Sequence, residues 1–303
     1  LYLSGTGKVF VNGGNIIGSS ELNKEAIYMA GGEFTMTAGT IEDFKGSKSG
    51  AVFMQDGAFT INNGLIDSCS GTESGAIYMS GGTFGISGGT IANSRGAKNG
   101  GALYLGGTGT VNVSGGNIIG NNVTEFGGAI YMTGGTFTMT NGTIDRCQGT
   151  GSGAVYMSGG EFQISGGTIS NCSGTNGGAV YLAGTGTLTI DGGTIKDNAA
   201  ALHGGAIYLT DGTFNMTAGK VEANTSQGGN GAGIYINNGT VSLTGGEVTG
   251  NIAISGKGGG FYVAGGNVTL SNGRISSNKA KTTGGGICLE GKSSSSIVGM
   301  NVN

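Results

Sequence analysis

The sequence contains no proline and no tryptophan, and only 10% of its 303 residues are charged. The absence of proline, together with glycines that do not fall at every third position, excludes a collagen triple helix. The net charge of −3 provides no basic face for nucleic acid or anionic lipid. No run approaches the roughly 20 apolar residues that span a bilayer. We therefore expect no nucleic-acid partner and no direct insertion into a membrane.

Glycine is abundant, with 71 residues, and a glycine-rich chain with little charge can be disordered. Disordered chains lack ordered apolar spacing, however, and here the ten tyrosines recur every 25 to 27 residues once Phe53 fills one gap. A short period of this kind predicts a solenoid whose coils stack on one another. Because the chain opens inside a repeat at Leu1, we expect one solenoid domain over residues 1–303 that is a segment of a longer protein.

One repeat, residues 129–153, shows how a coil is built. Three short apolar runs, at 129–132, 136–140 and 143–146, are separated by glycine-rich corners. Period-two alternation places Ile130 and Met132 on one face, and likewise Phe137 and Met139, so each run is predicted to be a strand. Glycine pairs permit the positive φ that sharp corners need. Helices are disfavoured because each interior glycine would cost about 1 kcal/mol.

Stacking the repeats in register produces columns of like residues. The second run contributes an apolar column of Phe34, Phe59, Phe84, Val111, Phe137, Phe162, Leu188, Phe214, Val241 and Val268. Each buried member stabilises the fold by roughly 1.5–3 kcal/mol. We predict an all-β fold, a right-handed parallel β-helix of about 11–12 coils of 25–28 residues with three short strands per coil.

The tyrosine column is the main candidate for a binding surface. If Ile130 and Met132 point inward, Tyr131 points outward, and the tyrosines form an exposed ladder. Its members are Tyr28, Tyr78, Tyr104, Tyr131, Tyr156, Tyr181, Tyr208, Tyr235 and Tyr262. Two interpretations are open: stacked rings that protect a flat sheet, or a platform for sugar rings or for another protein's apolar patch.

Threonines are frequent on the outer face of the second strand, which suggests ice binding as a minor alternative. Examples are Thr35, Thr37, Thr136, Thr138, Thr140 and Thr269. The rows are interrupted by other residues, and threonine is in any case a good strand residue.

A further column follows the third strand and consists largely of asparagine and cysteine. It reads Phe44, Cys69, Ser94, Asn121, Cys147, Cys172, Asn198, Asn224, Asn251 and Asn278. Stacked asparagine amides can satisfy corner backbone groups from one coil to the next. Cys147 and Cys172 would lie on adjacent coils, within the usual disulfide range of about 4.4–6.8 Å. They are either a disulfide or, like Cys69 and Cys288, small buried thiols.

No arrangement of reactive side chains indicates catalysis. The only histidine, His203, is expected to be a solvated corner residue, and Asp145 has no second acid close by to form a glycosidase pair. No Cys-x-x-Cys spacing supports zinc. We therefore expect no enzymatic activity, no metal and no cofactor.

A recurring Ile-x-x-Asn followed by Gly-Gly-Ala-Ile-Tyr resembles the repeats of chlamydial polymorphic outer-membrane proteins. It is clearest from Ile195 to Asn198 and then from Gly204 to Tyr208. More broadly, the chain is similar to the pectin-lyase-like β-helix repeats of bacterial surface adhesins. This resemblance implies a right-handed β-helix stalk displayed outside the cell. The chain departs from pectate lyases by its uniformly short corners, so their activity is not carried over.

These observations favour a non-catalytic extracellular or cell-surface β-solenoid that acts as a stalk, adhesin or filament subunit. Its expected partners are further copies stacked end to end, flanking domains of the same chain, or glycans and host surfaces. The alternative is a β-helix that binds or degrades carbohydrate, with ice binding as the minor alternative.

Overall fold

The computed structural model describes residues 1–19, 24–291, 293–299 and 301–302. In this part of the chain every regular element is a β-strand. All strand pairings are parallel, and each strand pairs with the equivalent strand one coil away, as in Tyr104↔Tyr131 and Ile144↔Ile169. The result is a solenoid of about 11 turns. No helix among the described residues is long and apolar enough to cross a membrane.

Three strands of each coil form three long faces. The first strands, some of which run on into the next face, are Tyr2–Leu3, Ile27–Glu42, Val52–Ile61, Ile77–Met79, Leu103–Leu105, Ile130–Met132, Val155–Met157, Val180–Leu182, Ile207–Leu209, Ile234–Ile236, Phe261–Val263 and Ile287–Leu289. The second strands begin with Lys8–Ile17 and continue as Thr83–Ile86, Thr110–Val113, Thr136–Met139, Glu161–Ile164, Thr187–Ile190, Thr213–Met216, Thr240–Leu243, Gly266–Ser271 and Ser293–Val298. The third strands are Leu65–Asp67, Thr90–Ala92, Asn117–Ile119, Thr143–Asp145, Thr168–Ser170, Thr194–Lys196, Lys220–Glu222, Glu247–Thr249, Arg274–Ser276 and Asn301–Val302.

A fourth, two-residue strand adds to the three that the sequence predicted. These strands are Ser70–Gly71, Arg95–Gly96, Asn122–Val123, Ser173–Gly174, Ala199–Ala200, Thr225–Ser226, Ile252–Ala253 and Lys279–Ala280. They pair in parallel as two separate sheets, and isolated bridges at Gln148 join one sheet to the other. The segment lacked an apolar alternation long enough to be read as a strand, because it has only two residues per coil.

The core confirms the predicted inner columns. Ile130, Met132, Phe137, Met139 and Ile144 of one coil are all fully buried. The equivalent residues of neighbouring coils lie directly above and below in register. Each coil therefore buries its apolar side chains against the next coil, and the core is a continuous filling of the rod rather than a single globular centre.

The corner after the third strand requires a left-handed backbone. Residues there have φ between 50° and 66°, and eight of them are not glycine: Asp43, Ser68, Asn93, Arg146, Asn171, Asp197, Ala223 and Ser277. Gly120 and Gly250 take the same conformation in two further coils, whereas Gly18 of the first coil has no positive φ. Most L-residues avoid this region, so a uniform corner geometry is imposed on a variable sequence by the stacking of the coils.

Two buried serines offer a direct test of this packing. Within the part of the chain that the structure describes, the hydroxyls of Ser74 and Ser152 are buried without a hydrogen-bond partner. The hydroxyl of Ser49, in the same column, donates to the Val52 carbonyl at 2.7 Å. Because an unpaired buried hydroxyl costs free energy, Ser74→Ala and Ser152→Ala should each raise the free energy of unfolding by about 1 kcal/mol. Ser49→Ala should lower it by about 1 kcal/mol, as measured by chemical denaturation.

Candidate functional site

The aromatic ladder is continuous along one face of the rod. Eleven rings, from Tyr2 through Phe53 to Tyr262, follow one another with centroid separations between 4.6 and 5.5 Å. The closest pair, Tyr78 and Tyr104, is nearly parallel, with 10° between the ring planes. The first strand places one aromatic side chain per coil outward, while its two neighbours point into the core. The sequence column of tyrosines is therefore a continuous series of ring contacts, most of them stacked and one, between Tyr156 and Tyr181, edge-to-face.

The ladder is less exposed than the sequence suggested. Tyr2, at the first coil, is 66% exposed, but most of the later rings are half-buried and Tyr262 is only 7% exposed. The tyrosine side chains point outward, as predicted, but they are less exposed to solvent than predicted. The rings are covered partly by each other and partly by the corner segment that precedes each first strand.

Three residues that each lie five positions before a ladder ring, Lys48, Phe126 and His203, form a covering column. Lys48 places its ammonium 5.1 Å from the centroids of both Phe53 and Tyr78. Phe126 packs on Tyr131 and Tyr156 at 5.4 and 4.8 Å. These contacts brace the ladder from outside, through cation–π and aromatic packing.

His203 occupies this covering column and is not the solvated corner residue that the sequence suggested. Its ring lies 4.5 Å from the ring of Tyr235. The backbone N–H of Asn230 donates to its Nδ1 at 3.0 Å. Burial lowers the pKa of His203, which favours the neutral ring that this acceptor role requires. The histidine serves as a structural brace.

Two tyrosine hydroxyls donate hydrogen bonds to residues of the following coil. Tyr28 donates to Gln55 Oε1 at 2.8 Å, and Tyr262 donates to Glu290 Oε2 at 2.7 Å. Lys257 forms an ion pair with the same Glu290 carboxylate. Each bond joins a ring to the corner after the next first strand, so the polar ends of the ladder also link neighbouring coils.

Alkaline titration should weaken the fold through this ladder. Burial raises the pKa of Tyr156 and of Tyr208 to about 12, against about 10 for an exposed tyrosine. The folded chain thus binds more protons than the unfolded chain between these two values, so stability falls as the pH rises from about 10 to about 12. We expect the phenolate absorbance of Tyr156 and Tyr208, taken as the difference between the chain and its Tyr156→Phe and Tyr208→Phe variants, to appear together with loss of β-sheet circular dichroism. Phenolate formation at these two rings at pH 10 in a fully folded chain would contradict this expectation.

The asparagine column forms a second ladder inside the rod. Each buried amide spans two coils: Asn224 Nδ2 donates to the Ile195 carbonyl at 3.1 Å, and Asn224 Oδ1 accepts from the Asn198 N–H at 3.0 Å. The same pattern recurs at Asn251, whose amide donates to the Val221 carbonyl. The predicted asparagine ladder is confirmed, and it satisfies backbone groups at a buried corner that would otherwise lack partners.

The cysteines are all free and buried. Cys147 and Cys172 occupy the asparagine column on adjacent coils, and the Cys147 N–H points to the Cys172 sulfur at 3.4 Å. The disulfide interpretation of this pair is thus not realised in the structure, whereas the interpretation as buried thiols agrees with it. Burial also raises the pKa of Cys69 to about 12, so this thiol stays protonated.

A family model described as a right-handed beta helix region matches residues 112–267, just over half of the chain. This chain belongs to the right-handed β-helix family. The searches of curated proteins and of solved structures each found no match. The parallel coils and the absence of helices among the described residues agree with this family, so the predicted fold is confirmed.

Asp145 of this β-helix is engaged as a charged structural group. Its Oδ1 accepts hydrogen bonds from Asn171 at 2.7 Å and Ser170 at 2.8 Å, and Arg146 pairs with Oδ2 at 2.8 Å. Burial acts to raise the pKa of Asp145, but these partners outweigh it and hold the pKa below its usual value. A general acid for glycoside hydrolysis needs the opposite shift.

The threonines of the β-helix divide between the second face and its corner. Thr138 points outward and lies in register between Asn112 and Gln163, so the row is interrupted as the sequence indicated. Thr140 and Thr37 lie at the corner, where Thr140 donates to the Val113 carbonyl at 3.4 Å and Thr37 donates to Asn12 Oδ1 at 2.6 Å, each in the preceding coil. These corner hydroxyls therefore hold coils together, a role that sequence reasoning missed. The sequence does contain a signal for this role, because a threonine or serine directly follows most of the second strands.

A groove of about 510 Å³ runs along the fourth strands, away from the tyrosine ladder. It is lined by uncharged residues, among them Asn122, Gln148, Ser173 and Ala200. Among the residues that the structure describes, no group of three or more histidine, cysteine, aspartate or glutamate side chains could hold a metal ion.

Proposed function

We propose that this β-helix is a non-catalytic structural rod of the cell surface or extracellular space, acting as a stalk, an adhesive surface or a filament subunit. The observation that carries the proposal is the uninterrupted series of eleven rings from Tyr2 to Tyr262, each in contact with the next. Ring contacts and parallel backbone pairings both join neighbouring coils, and the asparagine ladder adds a third kind of contact in the coils of Asn198, Asn224 and Asn251. Such redundancy suits a rigid spacer.

The rod proposal makes a mechanical prediction. With a rise of about 4.8 Å per coil, eleven coils form a rod of roughly 53 Å. We expect small-angle scattering to give a rod of this length, and stretching of a single molecule to require a high force because backbone pairs on several faces break together. A flexible, compact particle that unfolds at low force would contradict the proposal.

The surface location has a separate test. We expect antibodies against this chain to bind intact cells of the source organism and protease treatment of those cells to remove the signal. Labelling only after cell lysis would contradict an extracellular position.

End-to-end assembly is part of this proposal. The first coil leaves Leu1, Phe10 and Ile17 exposed, and the last coils leave Val298 and Val302 exposed. Exposed strand edges with apolar side chains are templates for further pairing. We propose that another coil covers them, supplied by a second copy or by a flanking domain. Ultracentrifugation should show association that increases with concentration and weakens after Phe10→Lys. A strictly monomeric chain at high concentration would rule out stacking of copies.

Carbohydrate binding is the second candidate, and the partly exposed ring edges of the ladder favour it. The ring faces are occupied by neighbouring rings, so a sugar would meet edges and hydroxyls rather than open faces. A glycan array that shows binding lost in Tyr131→Ala and Tyr156→Ala would support this candidate. Depolymerisation of a polysaccharide that is abolished by Asp145→Asn would instead establish an enzyme. Thermal hysteresis measurements test the minor alternative of ice binding on the threonine face.

A further inference from the structure

The ladder places phenol rings in contact at almost every step. Tyr78 and Tyr104 are 4.6 Å apart and nearly parallel, and Tyr208 and Tyr235 are 4.9 Å apart. Phe53 interrupts the phenols once, between Tyr28 and Tyr78. In-register stacking thus holds pairs of oxidisable rings together at a local concentration that no bimolecular encounter would match.

The ring of Tyr104 lies beside Gly106, a residue with no side chain. The Cε1 carbon of Tyr104 is ortho to the hydroxyl-bearing carbon, and a β-carbon placed on Gly106 would come within 2.9 Å of it. Tyr131 and Tyr156, in contrast, are covered by the ring of Phe126. The pair of Tyr78 and Tyr104 is the closest and the most nearly parallel of the tyrosine pairs in the ladder.

We propose that the ladder is a site of oxidative tyrosine coupling, in which neighbouring coils become joined by dityrosine bonds, first between Tyr78 and Tyr104. The oxidant is hydrogen peroxide used by a haem peroxidase. Each phenol gives up one electron and one proton, and the two radicals form a carbon–carbon bond between ortho carbons. The two ring hydrogens at these carbons then move to the oxygens and restore both phenols. Peroxide takes up the two electrons and two protons and becomes two water molecules.

This coupling deepens the proposed function, since a covalent link from coil to coil would reinforce a structural rod. The coupling proposal and the rod proposal can be refuted independently of each other. The chemistry depends only on ring geometry in the purified chain, whereas the rod proposal is decided by length and force before any oxidation.

The experiment treats dilute, folded chain with a haem peroxidase and hydrogen peroxide, followed by trypsin digestion and mass spectrometry. Arg95 and Lys98 lie between Tyr78 and Tyr104, so trypsin places these two tyrosines in different peptides. We expect a crosslinked peptide pair that has lost two hydrogens, dityrosine fluorescence, and a yield per chain that is independent of dilution.

Two conservative variants provide matched controls. Tyr104→Phe keeps a ring in the stack and should abolish the link to Tyr78. Phe53→Tyr fills the gap and should create new links at position 53. Circular dichroism verifies that both variants fold, and if Tyr104→Phe does not, Phe53→Tyr alone decides the question. Links between tyrosines that are not ladder neighbours would overturn the proposal. It would equally be overturned by links that vanish on dilution, or by no dityrosine under conditions that couple free tyrosine.

Discussion

Replacement of Gly128 by alanine is expected to lower the free energy of unfolding by about 3 kcal/mol or more. A β-carbon at this position would lie 2.6 Å from backbone atoms of Gln148 and closer still to the carbonyl oxygen of Gly153. These atoms belong to the backbone of the following coil, which cannot move without breaking its own pairing. The steric overlap therefore cannot be removed by a small shift of the structure. Chemical denaturation of the variant measures the effect.

The control for this prediction is Gly85→Ala, another glycine within a coil. Its β-carbon would point outward and meet only the Thr60 side chain, at 3.8 Å or more. Alanine is better than glycine in a strand interior, so we expect no loss and a gain of up to about 1 kcal/mol. If Gly128→Ala were tolerated as well as Gly85→Ala, the coils would not approach each other as closely as the structure requires.

Asn224→Ala is expected to cost about 3–5 kcal/mol. The substitution removes the acceptor for the Asn198 N–H and the donor to the Ile195 carbonyl, and it also breaks the contact with Asn251 Oδ1 at 3.0 Å. Each buried group left without a partner costs about 1–3 kcal/mol. Thermal and chemical unfolding should both show the loss, with hydrogen exchange increasing first in the two adjoining coils.

Two further substitutions define what the asparagine contributes. Asn215→Ala, on the outward face of the same coil, should change stability by less than about 0.5 kcal/mol. Asn224→Cys should lie between the two, because Cys172 already fills the same column and its sulfur lies 3.1 Å from the Ser170 carbonyl. Equal effects of Asn224→Ala and Asn215→Ala would mean that the internal ladder carries little of the stability.

The columns of the solenoid could be predicted from the sequence because two periods coincide. Alternation within a strand assigned Ile130 and Met132 to the core and Tyr131 to the outside. The repeat of 25 to 27 residues then assigned every equivalent residue, and the register confirms these assignments. The asparagine column was predictable for the same reason, since residue identity repeats along it.

The covering column and the fourth strand could not be predicted, because residue identity varies there. Lys48, Phe126 and His203 share no chemistry, and only their constant spacing of five residues before a ladder ring relates them. Without that column the tyrosines were expected to be more exposed than they are. The left-handed corner was hidden in the same way, since Arg146 and Ala223 give no sign of a positive φ. At these positions the stacking of the backbone determines the structure, and many different side chains are compatible with it.

The central claim, that successive coils lie in register, is tested most directly by pairs of introduced cysteines on the second face. Thr138 pairs with Gln163, and Thr136 pairs with Glu161. Paired positions have β-carbons about 4.5–5.5 Å apart, whereas positions offset by two residues are roughly 7–8 Å apart. Under mild oxidation, we predict a disulfide for the double variant at 138 and 163 and none for the one at 136 and 163. Peptide mass spectrometry distinguishes these links from the buried natural cysteines. Faster crosslinking of the offset pair would contradict the in-register stack.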